Sequence, residues 1–265
     1  MEYLNSDLAK QVWEKKYRYN NETLDDWFVR VSGGDKYIEN LIRKKKFIFG
    51  GRILSNRGTK KGSLSNCYTL GRVGDSLTDI MDANTKIALT FKAQGGQGIS
   101  LSDIRPKGAK VGEDYHSDGI VPFMEIFNTT TENISQGGSR RGALMLELDV
   151  THPEIETFIS IKSDLHKINN ANLSVEIGDA FMKAVKLYYE TGEKLIFTKK
   201  NKYGSEEFEY SYCPIDIFKK IAKQAHDTAE PGILFMNKLK DYNLMQFVQE
   251  YDIQSTNPCK QLCTA

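Results

Sequence analysis

Leu144-Met145-Leu146-Glu147-Leu148 is a short apolar run, and Leu173-Ser174-Val175-Glu176-Ile177 is a second. Between them Thr151-His152-Pro153-Glu154 reads as a helix start, followed by Ile155, Phe158 and Ile159 at helical spacing. The two runs are too short for helices and are rich in residues that suit strands. Strand, helix and strand in sequence predict parallel pairing through a crossover helix, the unit of an α/β fold.

The same alternation continues on both sides. Upstream, Cys67-Tyr68-Thr69-Leu70 reads as a strand, and Ser76-Leu77-Thr78-Asp79 as a capping-box variant with Asp in place of Glu. Ile80, Ala83, Ile87, Ala88 and Phe91 then recur at helical spacing. Gly95-Gly96-Gln97-Gly98 is expected to end that helix, and residues 99–104 to run extended. Pro122 suits the first turn of another helix, carrying Phe123, Ile126, Phe127 and Ile134. Downstream, a helix is expected over 180–190, a strand over 195–197, a helix over 215–229 stopped by Pro231-Gly232, and a strand over 233–235. The first fifty residues read as polar helices anchored by Trp13, Tyr17, Trp27, Phe28 and Val31. The basic run Arg43-Lys44-Lys45-Lys46 suits a helix end, and residues 51–65 read as an ordered loop or boundary.

Composition narrows the functional classes. Hydrophobic residues make up 40% and charged residues 27% of the 265, the balance of a globular chain rather than a disordered one. Lys and Arg number 36 against 35 Asp and Glu, so the net charge is +1 and no global field attracts nucleic acid. Any anionic ligand must be small and held locally. No apolar run reaches the roughly 20 residues of a membrane span, and Met1-Glu2-Tyr3-Leu4-Asn5-Ser6 carries no basic-then-apolar leader. A cytoplasmic protein without membrane contact is expected. Cys67, Cys213, Cys259 and Cys263 form no CxxC pair, so neither a disulfide scaffold nor a metal site is expected.

Two glycine-rich loops, 95–98 and 135–142, lack both the P-loop and the GxGxxG spacing. Their backbone N–H groups could approach a phosphate, and a packing turn is the other reading. In Ser255-Thr256-Asn257-Pro258-Cys259, an extended backbone would point Asn257 and Cys259 the same way, toward one ligand. The alternative is a loop cysteine beside a turn.

Taken in order, the motifs resemble those of ribonucleotide reductase large subunits. They are Ser65-Asn66-Cys67, Gly74-Asp75-Ser76-Leu77, Gly95-Gly96-Gln97-Gly98, Ile104-Arg105-Pro106-Lys107-Gly108, the loop 135–143, His152-Pro153-Glu154-Ile155-Glu156, Asn172-Leu173-Ser174-Val175 and Asn257-Pro258-Cys259. The resemblance implies a helical N-terminal region over 1–62, followed over 63–265 by about half of a ten-stranded α/β barrel. It also implies that the ATP-sensing cone domain of many relatives is absent.

The chemistry implied is thiyl-radical reduction of a ribonucleotide to a 2′-deoxyribonucleotide. Cys259 would carry the radical and take the 3′ hydrogen. Cys67 would protonate the departing 2′-hydroxyl and supply reducing equivalents, and Asn257 would hold the sugar hydroxyls. Ser65, Asn66, Gln136 and Arg140 would bind substrate. Asp75, Ser76, Leu77, Arg105 and Val111 would bind a deoxynucleoside triphosphate or ATP effector, with a helix cap as the other reading of Asp75. A homodimer and a thioredoxin-type reductant are further implications. The radical would come from a small subunit or, in a class II enzyme, from adenosylcobalamin. Gln261 stands where the family usually has a glutamate base, and an amide cannot accept that proton. The second half of the barrel, with the usual redox partner of Cys67, is not among these residues. The chain alone is therefore expected to be inactive, and a non-catalytic nucleotide-binding or assembly fragment is the competing reading.

Overall fold

The computed structural model describes residues 3–60, 62–134, 142–164, 166–203, 206–245, 247–248 and 252–259. The chain divides into two compact units, Met1–Asn66 with Ala93–Gly95, and Cys67–Lys92 with Gly96–Ala265.

The first unit is helical. It contains α1 (Asp7–Val12), which runs into a π-helical turn (Trp13–Tyr17), then α2 (Leu24–Ser32), α3 (Lys36–Arg43) and α4 (Gly51–Asn56). The start of α2 is fixed by a capping box in which the Thr23 and Asp26 side chains each bind the other's backbone N–H. Trp13, Trp27, Phe28, Val31, Ile42 and Leu54 form its core. Trp27 Nε1 donates to Leu54 O at 3.2 Å, which gives the indole its buried partner. The segment over 51–65, read from the sequence as a loop, opens with α4. Its Gly50-Gly51 start suggests a breaker, while Ile53 and Leu54 supply an apolar side that packing makes helical.

The second unit is built on a parallel sheet. Its strands are β1 (Cys67–Arg72), β2 (Gly96–Ser100), β5 (Leu144–Asp149), β6 (Ala171–Ile177) and β9 (Gly232–Phe235), in the order β1-β2-β5-β6-β9. The connections carry α5 (Leu77–Lys92), the small hairpin β3 (Lys110–Val111) and β4 (Tyr115–His116), α6 (Val121–Asn133), α7 (Ile155–Ser160), α8 (Asp179–Thr191) and α9 (Pro214–Thr228). A second hairpin pairs β7 (Phe197–Tyr203) with β8 (Glu206–Tyr212), and α10 (Met236–Asp241) follows β9. Five parallel strands with crossover helices are consistent with half of a ten-stranded barrel.

The register separates the sheet into two unlike faces. Ile99, Leu144, Leu146, Leu148, Leu173, Val175 and Ile177 point to one side and join the core formed with α5–α9. Alternation then sends Gly96, Gly98, Ser100, Met145, Glu147, Ser174 and Glu176 to the other. Met145 apart, that second face is lined by small and polar residues, and the candidate site lies on it.

Three local expectations need correction. Gly96–Gly98 belong to β2 rather than to a helix stop, because a strand that another backbone approaches closely favours glycine. Thr151 does not cap α7: the Ncap position is Glu154, with no side-chain cap bond. The strand expected over 195–197 begins at Phe197 and continues as half of the β7–β8 hairpin. Its run Thr198-Lys199-Lys200-Asn201-Lys202 hides an apolar alternation that only Phe197 and Tyr203 express.

Candidate functional site

The segment from 253 to 259 lies against the polar face of the sheet. Ser255 Oγ accepts from the Gly71 N–H on β1 at 3.1 Å. Thr256 donates its N–H to both Glu147 carboxylate oxygens, at 2.9 and 3.0 Å, and its Oγ1 to Glu147 Oε1 at 2.5 Å. Glu147 and Thr256 are fully buried. Between these anchors the segment crosses β2 so closely that a Cβ on Gly98 would overlap the Thr256 carbonyl oxygen. Glycine at 98 is thus the condition for the segment to reach the sheet.

This anchoring delivers two thiols to one place. Cys67 opens β1 and pairs in register with Gly96 at the N-terminal edge of the sheet. Cys259 reaches the same edge from 192 positions away, with its Sγ 3.4 Å from Cys67 Sγ. Neither is in a disulfide, and Cys259 is exposed. Asn257 is fully buried, and its Oδ1 accepts the Cys259 N–H at 3.1 Å. Pro258 and Cys259 form a turn, so the extended spacing expected from sequence does not hold. The amide meets the cysteine through its backbone instead.

At the opposite end of the same face lies an acidic and basic cluster. Glu176 is buried, and Ser100 Oγ donates to its Oε1 at 2.5 Å. Arg72 Nη2 stands 3.5 Å from Glu176 Oε2, while Nη1 donates to Asp103 at 2.7 Å. Burial pushes the Glu176 carboxyl up to about 7, although the Ser100 bond and the Arg72 charge pull the other way. A register shift between Thr69 and Arg72 brings Arg72 level with Ser100, on the polar face. Without that bulge, alternation would send the arginine into the apolar core. A polar cavity of 320 Å³ opens here, bounded by Arg72, Asp103, Asp149, His152, Lys202 and Tyr203.

The proposed effector residues also gather beyond the C-terminal ends of the strands. Asp75 accepts from the Arg105 backbone N–H at 2.9 Å and from Arg105 Nε at 3.0 and 2.9 Å. Arg105 Nη1 donates to Lys110 O at 2.5 Å, next to Val111. Ser76, not Asp75, caps α5: its Oγ accepts the Asp79 N–H at 3.0 Å and donates to Asp79 Oδ2 at 2.6 Å. Leu77 and Val111 are exposed. Nearby, His152 and Glu154 brace the loops around this region. Burial holds the His152 imidazole below its ordinary range, and its two nitrogens meet Ile104 O and the Glu154 N–H. Glu154, whose carboxyl is raised by burial, accepts from the backbone of Lys107 and Ile120.

Ser65 and Asn66 are exposed, and Ser65 N–H donates to Ser63 Oγ at 3.0 Å. Gln136, Arg140, Gln261 and Cys263 lie outside the described residues. Sequence reasoning missed Glu147 and Glu176. Each is a carboxylate alternating with apolar residues in a strand, a pattern that also fits a half-exposed strand and becomes a signal only where both faces of the sheet are buried and a charge needs a partner. Among the described residues no group of three or more His, Cys, Asp or Glu side chains is placed to hold a metal ion. No helix among them is long and apolar enough to cross a membrane.

Comparison with known proteins identifies the family to which this fold belongs. Residues 65–264 match the family model of the ribonucleotide reductase barrel domain, and the chain belongs to that family. A vitamin B12-dependent ribonucleoside-diphosphate reductase of Thermoplasma acidophilum is 38% identical over 223 residues, covering 83% of this chain and 28% of the relative. A ribonucleoside-diphosphate reductase large subunit of Monkeypox virus is 30% identical over 288 residues, covering 95% of this chain and 36% of the relative. The chain thus spans about a third of the length of these relatives. The solved class Id ribonucleotide reductase alpha subunit of Actinobacillus ureae shares the fold, with a TM-score of 0.77 over 98% of this chain and 46% of that one, at 19% identity.

Proposed function

We propose that this chain supplies the radical-cysteine side of a ribonucleotide reductase active site, acting on a ribonucleotide to give the 2′-deoxyribonucleotide. The observation that carries this reading is the meeting of Cys67 and Cys259 at 3.4 Å on the polar face of the sheet. A sugar seated at that edge would have the Cys259 sulfur available for its 3′ hydrogen. Cys67 would protonate the leaving 2′-hydroxyl and give up reducing equivalents, which a thioredoxin-type reductant restores. Asn257 fixes Cys259 through its backbone and, in this reading, meets the sugar hydroxyls. Ser65, Asn66, Gln136 and Arg140 complete the substrate contacts.

Two relatives at 38% and 31% identity are named vitamin B12-dependent, and we assign adenosylcobalamin as the radical source on that basis. Bound there, it would supply the one-electron oxidation of Cys259. The exposed Cys259 sulfur suits an approaching radical donor. Asp75, Ser76, Leu77, Arg105 and Val111 form the effector site for a deoxynucleoside triphosphate. The exposed row of Leu77, Met81 and Leu89 along α5 suits the face of a homodimer. A cytoplasmic location completes the reading.

The test joins the 265-residue chain to a separately produced C-terminal portion of a relative's large subunit, with ribonucleoside diphosphate, adenosylcobalamin and a dithiol. Deoxynucleotide should form in the mixture, not with the chain alone, and Cys259→Ser should abolish it. A mixture shown to associate yet giving no product, while binding nucleotide, would favour a nucleotide-binding fragment instead.

A further inference from the structure

The 320 Å³ cavity beyond the C-terminal ends of β1, β2 and β5 has no part in the function proposed above. None of Asp75, Ser76, Leu77, Arg105 and Val111 lines it, and Cys67 and Cys259 meet at the other edge of the sheet. One wall is a face of β7, where alternation puts Lys199, Asn201 and Tyr203 on the same side. Asn201 Nδ2 donates to Thr151 O at 3.1 Å, and the Tyr203 ring meets the His152 ring edge-on with centroids 6.0 Å apart. That side of β7 therefore turns toward the strand ends, and Lys199 turns with it. Lys200 leaves on the other side, pairs with Glu209 at 3.6 Å and does not line the cavity. Among the described residues neither Lys199 nor Lys202, both at the cavity, has an ion-pair partner. Another wall is Arg72, whose guanidinium is held by Asp103 at 2.7 Å and stands 3.5 Å from Glu176. Its position is thus set before any ligand arrives. Asp149 Oδ1 accepts the Thr151 N–H at 2.8 Å, while its other oxygen accepts no hydrogen bond among the described residues. The lining holds three cations, Arg72, Lys199 and Lys202, against two carboxylates, Asp103 and Asp149, an excess of one positive charge.

We propose that this cavity binds a phosphate monoester of a small sugar, with the phosphate between Arg72 and Lys199 and a sugar hydroxyl donating to Asp149. A phosphate monoester is strongly anionic near neutral pH and offers several acceptor oxygens, which suit a fixed guanidinium and an ammonium without a partner. Asp149 sets the limit on charge. A carboxylate with a free oxygen accepts from a hydroxyl and repels a second anionic group, so a single phosphate fits and a triphosphate does not. The size agrees, since ligand cavities run from roughly 300 to 1,000 Å³ and this one is near the lower end, with room for one ring and one phosphate. The proposal rests on the cavity alone and stands whether or not the radical chemistry occurs in this chain.

The test titrates the full chain with ribose 5-phosphate, inorganic phosphate and ribose by isothermal calorimetry. Ribose 5-phosphate should bind saturably, inorganic phosphate about tenfold more weakly, and ribose not measurably. Lys199→Ala should weaken ribose 5-phosphate by about tenfold, the effect of losing one charge-assisted contact. Lys199 is exposed, so that variant keeps the fold, which circular dichroism checks. Lys200→Ala removes a neighbouring cation on the other side of the strand and should leave the affinity unchanged. Asp149→Asn should narrow the gap between ribose 5-phosphate and inorganic phosphate, because it lifts the repulsion and weakens the hydroxyl contact. A deoxynucleoside triphosphate should not displace the sugar phosphate. Absence of saturable binding by the folded chain would overturn the proposal. So would equal affinity for ribose 5-phosphate and inorganic phosphate, which would mark a plain anion site. Equal losses in Lys199→Ala and Lys200→Ala would show diffuse attraction by the hairpin, and displacement by the triphosphate would place the ligand in the effector site; either result overturns it too. None of these readouts involves deoxynucleotide formation, so failure here is distinct from failure of the proposed function.

Discussion

Glu147 accepts three hydrogen bonds from one residue, Thr256, which lies 109 positions further along the chain. A buried carboxylate that takes both the N–H and the hydroxyl of a single residue fixes the position and orientation of that residue. The anchor is on β5 and the cargo is the Asn257–Cys259 turn. Glu147→Gln keeps the shape but turns one acceptor oxygen into an NH₂ that faces a donor. Loss of about 1–3 kcal/mol is expected, the usual cost when a buried donor loses a charged partner. Urea denaturation measures it. Alkylation of Cys259 in the folded variant should also become faster, because the turn is less restrained. Unchanged stability together with unchanged alkylation would rule out the anchoring role.

Gly98→Ala tests the close approach directly. The added Cβ overlaps the Thr256 carbonyl, which is backbone and cannot swing aside like the end of a long side chain. Overpacking of this kind costs about 1–3 kcal/mol. Gly98 is not in the left-handed region, so the effect is one of space alone. The expected result is a lower melting temperature with the segment at 255–259 released, seen as limited proteolysis near Cys259 at protease levels that leave the wild type intact.

Glu176 gives the fold a pH dependence whose sign follows from its burial. Its folded carboxyl is raised to about 7 from an ordinary 4.5. Between those values the unfolded chain ionises there while the folded chain stays protonated. The folded state therefore binds more protons, and its stability falls as pH rises through that window. Below the lower value the contribution is fully present, and above the upper one it is lost, a change of about 3 kcal/mol at most. Glu176→Gln keeps an acceptor for Ser100 and removes the titration. The variant should gain stability relative to wild type between pH 5 and pH 8, measured by paired urea titrations at each end. A constant difference across that range would show that Glu176 does not titrate there.

The outer face of the sheet was legible in the sequence because it obeys simple rules. Leu144, Leu146 and Leu148 alternate, Ile80, Ala83, Ile87 and Phe91 recur along one side of a helix, and both patterns reappear in one core. The thiols at 67 and 259 were singled out by the family resemblance, with Ser65-Asn66-Cys67 and Asn257-Pro258-Cys259 carrying it. The polar face was not legible. Gly96 and Gly98 suggest a turn until it is known that another backbone passes over them. Glu147 in Leu-Glu-Leu resembles the solvent side of a half-exposed strand, and its partner lies more than a hundred residues away. Arg72 reaches the polar face only through a register shift between Thr69 and Arg72, which local sequence does not announce. The β7–β8 hairpin was obscured by its charges, since Lys200 is placed across from Glu209 and beside Glu207. The hairpin apart, what the sequence concealed depended on a contact with a distant segment.

Arg105 and Asp75 allow a sharper test of the proposed effector site than either alone. In this structure the Arg105 guanidinium is occupied by Asp75 and by the Lys110 carbonyl. An incoming triphosphate would therefore have to share Arg105 with Asp75 or draw it away. Arg105→Ala should weaken deoxynucleoside triphosphate binding by roughly tenfold, about 1–2 kcal/mol for a partly exposed charge-assisted contact. It also breaks the Asp75 pair, so some loss of stability is expected, and circular dichroism must first show that the variant is folded. Arg105→Lys separates the two roles. Lysine retains the charge but not the planar fork, and should recover part of the binding without restoring the geometry. Lys107→Ala, which removes a cation from the same loop without touching the pair, should change affinity less. Isothermal calorimetry on the folded wild type and the three variants decides the matter. Equal affinity in wild type and Arg105→Ala would leave Arg105 with a purely structural part, as the brace that ties Asp75 to the β3–β4 hairpin.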